Sequence, residues 1–161
     1  MKLKSTLAMA TLCLSGGVFA QVPQTERNVS MAMAQVIIAG AVEECAKTSY
    51  RVSDVIVDKA GQLAAALRGD GTSPATVEFA RMKAYTARVR NQTSQEFAAA
   101  TASGDRMALR QIPGVVAIGG GVPIRAGSET IGAIGVSGAP GGDKDEICAQ
   151  AGIATVAAGL N

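Results

Sequence analysis

Residues Gly119–Gly152 read GGGVPIRAGSETIGAIGVSGAPGGDKDEICAQAG, and the punctuation of this stretch decides the fold. Val122–Arg125 and Thr130–Ser137 alternate or run apolar, in the manner of half-buried strands. Gly127-Ser128 between them is turn chemistry, because glycine reaches positive φ without steric cost, so the two strands form an antiparallel hairpin. Gly138-Ala139-Pro140-Gly141-Gly142 cannot continue a strand. Asp143 and Glu146 stand three residues apart, the capping-box spacing that satisfies free amides at a helix N-terminus. Strand, bare-backbone loop and helix N-terminus in succession form a cradle for an anion or for the edge of a planar ligand.

Working outward, Ser30 caps a helix predicted from Met31 to about Lys47. Its stripe runs through Met33, Val36, Ile37, Gly40, Ala41 and Cys45. Arg51–Asp58 is β-rich, Lys59-Ala60-Gly61 turns, and Gln62–Arg68 returns as a second strand. Gly69–Pro74 breaks the chain; Ser73 as N-cap and Pro74 at the first helical position start a helix to about Arg90. Thr93 and Glu96 form a second capping pair, opening a short helix that ends near Gly104. Asp105–Gln111 fits one helical turn, Val115–Ile118 a short apolar strand, and Lys144 to about Ala158 a last helix closed by Gly159. The order is helix, two strands, helices, three strands, helix. Strand pairs joined by tight turns imply an antiparallel sheet, so the expected fold is α/β of the α+β kind, five strands covered by helices.

Three blocks, Gly120-Gly121-Val122-Pro123-Ile124, Gly132–Gly138 and Asp145–Gly152, stand in the order and near the spacing of the GlcG/HbpS-like family, and the chain resembles it. That family is also called haem-degrading and includes the C-terminal domain of PduO-type proteins. Val57–Gly61, Arg68–Gly71 and Lys83–Ala87 agree with it. The resemblance spans roughly residues 30–159. It implies a profilin-like sandwich with a five-stranded sheet, a habit of forming oligomers, and haem or a related tetrapyrrole as ligand.

At the N-terminus, Lys2 and Lys4 precede an apolar run from Leu7 to Leu14, and Val18-Phe19-Ala20 offers small residues at the positions a signal peptidase reads. The expectation is a signal peptide over residues 1–20 cut after Ala20, a flexible segment over 21–29, and one domain over 30–161 in the periplasm or outside the cell. Removing the leader takes away two of the 15 basic residues and none of the 13 acidic ones, so the mature chain carries no formal net charge. A nucleic-acid footprint and a polybasic membrane patch are both excluded. Aromatic residues are only 3%, too few for base-stacking platforms. With little charge to keep copies apart, and with strand edges exposed, a homo-oligomer is expected.

The chain contains no histidine. That removes Ser-His-Asp triads, histidine zinc sites and histidine-ligated haem, and no protein metal site is expected. Ser137, beside Gly138, is therefore a hydrogen-bond donor to a ligand rather than a nucleophile. Lys83 borders the apolar stripe Val77, Ala80, Ala84, Ala87, so its amine reaches a pocket mouth unless it is a solvated helix lysine. On the first reading, Lys83→Ala weakens binding without unfolding the protein and with only a small loss of stability. Arg68 and Asp70 mark a glycine turn, either as ligand contacts or as surface residues. Asp145 is a ligand contact or a helix-capping acid. Gly120 and Gly121, followed by Val122 and Pro123, give either backbone contact to a ligand or only a chain reversal. On the family resemblance, Lys83 and Arg68 pair with haem propionates, and apolar residues near Gly119–Ile124 sandwich the ring. A rival of another class is a small carboxylate or aldehyde, bound for enzymatic or accessory work beside a periplasmic oxidation pathway.

Two cysteines remain after the leader. Their number is even and export exposes them to an oxidising compartment. Cys45 lies near the end of the first helix and Cys148 near the start of the last. In this fold class those helices pack antiparallel on one face of the sheet, which pairs the two thiols in a disulfide. The alternative is two buried free thiols packed as small apolar side chains.

Overall fold

A computed structural model describes residues 22–160. The expected leader and its cut after Ala20 lie outside them. Four strands and four α-helices follow one another: α1 (Met31–Ala46), β1 (Ser53–Asp58), β2 (Leu63–Leu67), α2 (Thr76–Arg90), α3 (Ser94–Ala100), β3 (Gly121–Ala126), β4 (Glu129–Ser137) and α4 (Gly142–Ala154). Short 3-10 turns cover Asp105–Gln111 and Ala157–Gly159. The sheet order is β2-β1-β4-β3, antiparallel throughout. Among the described residues, no helix is long and apolar enough to cross a membrane.

Alternation along β1 and the residue before it sorts the side chains onto two faces. Val52 and Ile56 join Ile37, Ala41, Ile134 and Val136 in a core under α1 and α4. Val55 and Val57 join Ala80, Ala84, Ala87 and Ala133 under α2. The two cores differ in grain. Fully buried isoleucines such as Ile37, Ile56 and Ile134 fill the first, each worth roughly 1.5–3 kcal/mol of burial. The second sets the alanines of α2 against Val55, Val57 and Ala133, and α2 lies close on the sheet. A Cβ added at Gly135 would meet the Ala80 carbonyl oxygen, so only glycine admits the helix there.

Several expected boundaries hold. Ser30 caps α1, its hydroxyl accepting from Met33 N–H at 3.2 Å. Thr93 and Glu96 form the reciprocal capping box of α3, and Gly127-Ser128 joins β3 to β4. Cys45 and Cys148 form the disulfide, with Cα atoms 5.5 Å apart.

Other expectations are corrected. The sheet has four strands, because Val115–Ile118 is not one. Val116 N–H donates to Thr86 Oγ1 on α2 at 2.9 Å, so that backbone is satisfied by a helix side chain and not by a neighbouring strand. The second helix begins at Thr76. Ser73 and Pro74 form the preceding turn, in which the Ser73 carbonyl accepts from Thr76 N–H and Oγ1. The Asp143–Glu146 capping box does not form. Gly141 is the N-cap of α4 and offers no side chain; Asp145 turns back instead, accepting from Ala139 N–H at 2.9 Å.

Candidate functional site

Lys83 and Asp145 reach each other from opposite faces of the sheet. Lys83 leaves α2 on the alanine side, and Asp145 stands in the first turn of α4 on the other. They meet past the end of β4, where Lys83 Nζ donates to Asp145 Oδ2 at 2.7 Å and to the Val136 carbonyl at 2.9 Å. Both residues are almost sealed, at 2% and 3% exposure. Gly120 makes the meeting possible. Its φ is +113°, and a Cβ there would stand 2.7 Å from Asp145 Cβ and 3.0 Å from Lys83 Nζ. Burial raises the Asp145 carboxyl above the usual range, while Lys83 and the Ala139 and Gly138 amides oppose the rise. The pair is thus a neutral, hydrogen-bonded floor with no surplus charge.

Above this floor opens a cleft of about 300 Å³ lined by Phe79, Lys83, Ile118, Ser137, Gly138, Ala139, Gly141, Gly142 and Asp145. Phe79 and Ile118 supply an apolar wall and are each 42% exposed. The opposite side is the glycine loop and the N-terminus of α4, a favourable place for negative charge. Two other depressions are clearly larger, and a third, beside Tyr50 and Arg51, is slightly so at about 340 Å³. One, about 670 Å³, lies against Asn91–Thr93 and takes in Val122, Pro123 and Arg125; the other, about 440 Å³, is an apolar groove between α1 and β2. Neither contains a buried ionisable cluster, whereas convergent polar groups in an apolar cleft are the usual mark of a binding site.

The residues singled out in the sequence therefore divide. Lys83, Ser137 and Asp145 share the cleft, and Gly120 packs beneath them. Gly121 lies one step behind, its N–H donating to Ser94 Oγ at 2.8 Å. Val122 and Pro123 line the separate depression by Asn91. Arg68 and Asp70 are not brought to the cleft: both are exposed, and the Arg68 guanidinium donates to the Thr72 carbonyl at 3.0 Å within its own turn. The expectation that Lys83→Ala costs little stability is corrected, because a sealed ion pair and not a rim charge is removed.

Two features lay outside the sequence reading. Phe79 and Ile118 form the cleft wall; a large apolar side chain off the helix stripe was the available signal for Phe79. Asp54 sits near the start of β1, fully buried, with neither carboxylate oxygen hydrogen-bonded. Burial, then the nearby Asp145, push its carboxyl up to about 8, so it is a neutral acid at pH 7. An acid inside the apolar run Val52–Val57 was its only signal.

Comparison with known proteins bears on the family and the fold. A family model described as Haem degrading protein HbpS-like matches residues 29–154. Protein GlcG of Escherichia coli strain K12 is 32% identical over 114 residues, 71% of this chain and 84% of that protein. The crystal structure of HbpS superposes with a TM-score of 0.79 at 36% identity, covering 83% of this chain and 94% of the other. The structure of a PduOC:heme complex gives a TM-score of 0.75 at 25% identity, over 81% and 96% of the two chains.

Proposed function

The chain belongs to the HbpS-like haem-degrading family, and from that premise we propose that it is an exported protein binding haem or a related tetrapyrrole in the cleft above Lys83 and Asp145. The observation that carries this reading is the composition of the cleft. Phe79 and Ile118 present half-open apolar surface on the same cavity as a glycine loop and a helix N-terminus. A flat ring stacks on the first, and its carboxylates meet the second. The donor set fits a porphyrin's ring and acid groups. At about 300 Å³ the cleft encloses one edge of such a ring, at the small end of ligand pockets. The haem complex of PduOC supports the choice of ligand.

Export is supported by the Cys45–Cys148 disulfide, since such bonds persist in oxidising compartments, and by the Lys2, Lys4 and Leu7–Leu14 pattern. Assembly into a homo-oligomer is supported by β2, an edge strand that exposes Leu63 and Leu67. Light scattering at tens of micromolar is expected to show a species larger than one chain; monomer alone overturns that part.

Hemin titration of the purified protein tests the ligand. A saturable Soret change at micromolar levels is expected, weakened about tenfold in Phe79→Ala, whose melting temperature stays near that of the parent because the ring is half exposed. No saturable change contradicts the reading. The cleft's volume and polar floor favour one second reading, a small carboxylate or aldehyde enclosed whole. A melting shift with small acids and none with hemin would select it.

A further inference from the structure

We infer that the cleft recognises the porphyrin and not its iron, an inference that rests on the tetrapyrrole reading above. Proteins hold haem iron through histidine, cysteine thiolate, methionine or tyrosine. Among the described residues, none of these lines the cleft: its only side chains with heteroatoms are Lys83, Ser137 and Asp145. The chain has no histidine. Cys45 and Cys148 are bonded to each other, Tyr50 lies in a different depression beside Cys148, and Tyr85 packs on Gly61 and Gly114.

The two charged groups in the cleft are committed as well. Asp145 accepts from Lys83 with one oxygen and from Ala139 N–H with the other. Drawing it to a metal would strand Lys83 as an unpaired buried charge and release the glycine loop. Lys83 already donates to Asp145 and to the Val136 carbonyl. Ser137 offers only a neutral hydroxyl at the end of β4. What the cleft holds out to a ligand is therefore apolar wall and backbone dipole. Both act on the ring and its carboxylates, and both are indifferent to the metal at the ring's centre.

The class of ligand follows: planar tetrapyrroles with acidic side chains, metallated or not, with the axial positions of any bound iron left open. Binding of hemin and of metal-free protoporphyrin IX, each in competition with fluorescent zinc protoporphyrin, tests this on the whole purified protein. The expected result is dissociation constants within about threefold of each other, both weakened equally by Phe79→Ala, with imidazole shifting the Soret band of bound hemin as it does that of free hemin. Hemin more than threefold tighter than protoporphyrin, or a Phe79→Ala loss confined to hemin, shows that iron is held and overturns the inference while leaving the tetrapyrrole reading intact. Failure of both ligands to compete overturns both.

Discussion

Lys83 and Asp145 stabilise the fold only as a pair. Truncating one partner of a buried ion pair leaves the other charge without water or counter-charge, a loss of about 3–5 kcal/mol. Lys83→Met is expected to lower the unfolding free energy by that order in urea titrations, and Lys83→Met with Asp145→Asn to recover a large part of it. A single variant losing under about 1 kcal/mol would return Lys83 to the pocket rim. Asp54 sets a pH dependence of definite sign. Its carboxyl is held up at about 8, above the unfolded value, so the native state keeps the proton longer. The stability linked to that proton is complete below the unfolded pKa, near 4, and is lost as pH rises through the folded one. Relative to Asp54→Asn, the parent should lose on the order of 1 kcal/mol per pH unit between about pH 4 and 8, then level off. A gap that does not change over that range would show a solvated Asp54. Lys83 and Asp145 were both legible in the sequence, one beside the apolar stripe of a helix and the other at a helix start. Their convergence was not, because Lys83 and Asp145 lie 62 positions apart on helices that cover opposite faces of the sheet.

The α1–α4 layer is fixed by close packing and by a covalent link. Gly152 approaches the α1 backbone so nearly that an added Cβ would meet the Ile37 carbonyl oxygen. The disulfide beside it closes a separation of 103 residues. In the chain-entropy picture a loop of that size restrains the unfolded state by up to about 4–5 kcal/mol. Replacing both cysteines with alanine is expected to cost about 2–5 kcal/mol and several degrees of melting temperature. Two free thiols in unfolded, unreduced protein would contradict the bond. Elements whose ends are set by local chemistry were legible in the sequence: the Gly127-Ser128 hairpin, the Ser30 cap, the Thr93–Glu96 box. Elements whose backbone is satisfied from a distance were not. Val115–Ile118 has the composition of a strand, yet its partner is the Thr86 hydroxyl. Asp143 and Glu146 have capping-box spacing, yet the neighbouring Asp145 is drawn to Lys83 and Ala139.

On the scale of the whole molecule, the cleft lies where helices from the two faces of the sheet converge past the end of β4. The glycines at positions 120, 121 and 135 bring α2 close enough for Lys83 to reach across. This explains why the candidate site read from the sequence came apart. Val122 and Pro123 follow Gly121 along β3 to another depression, and Arg68 and Asp70 belong to the turn after β2 at the far edge of the sheet. Hydrogen exchange of the intact protein, with and without saturating hemin, tests the central claim most directly, because it locates the ligand whatever its affinity. The account predicts slowed exchange in residues 137–143 and around Ile118, with 63–67 and 91–93 unchanged. Protection confined to 91–93 and 122–125, or to the groove along 64–67, would place the ligand elsewhere and contradict it.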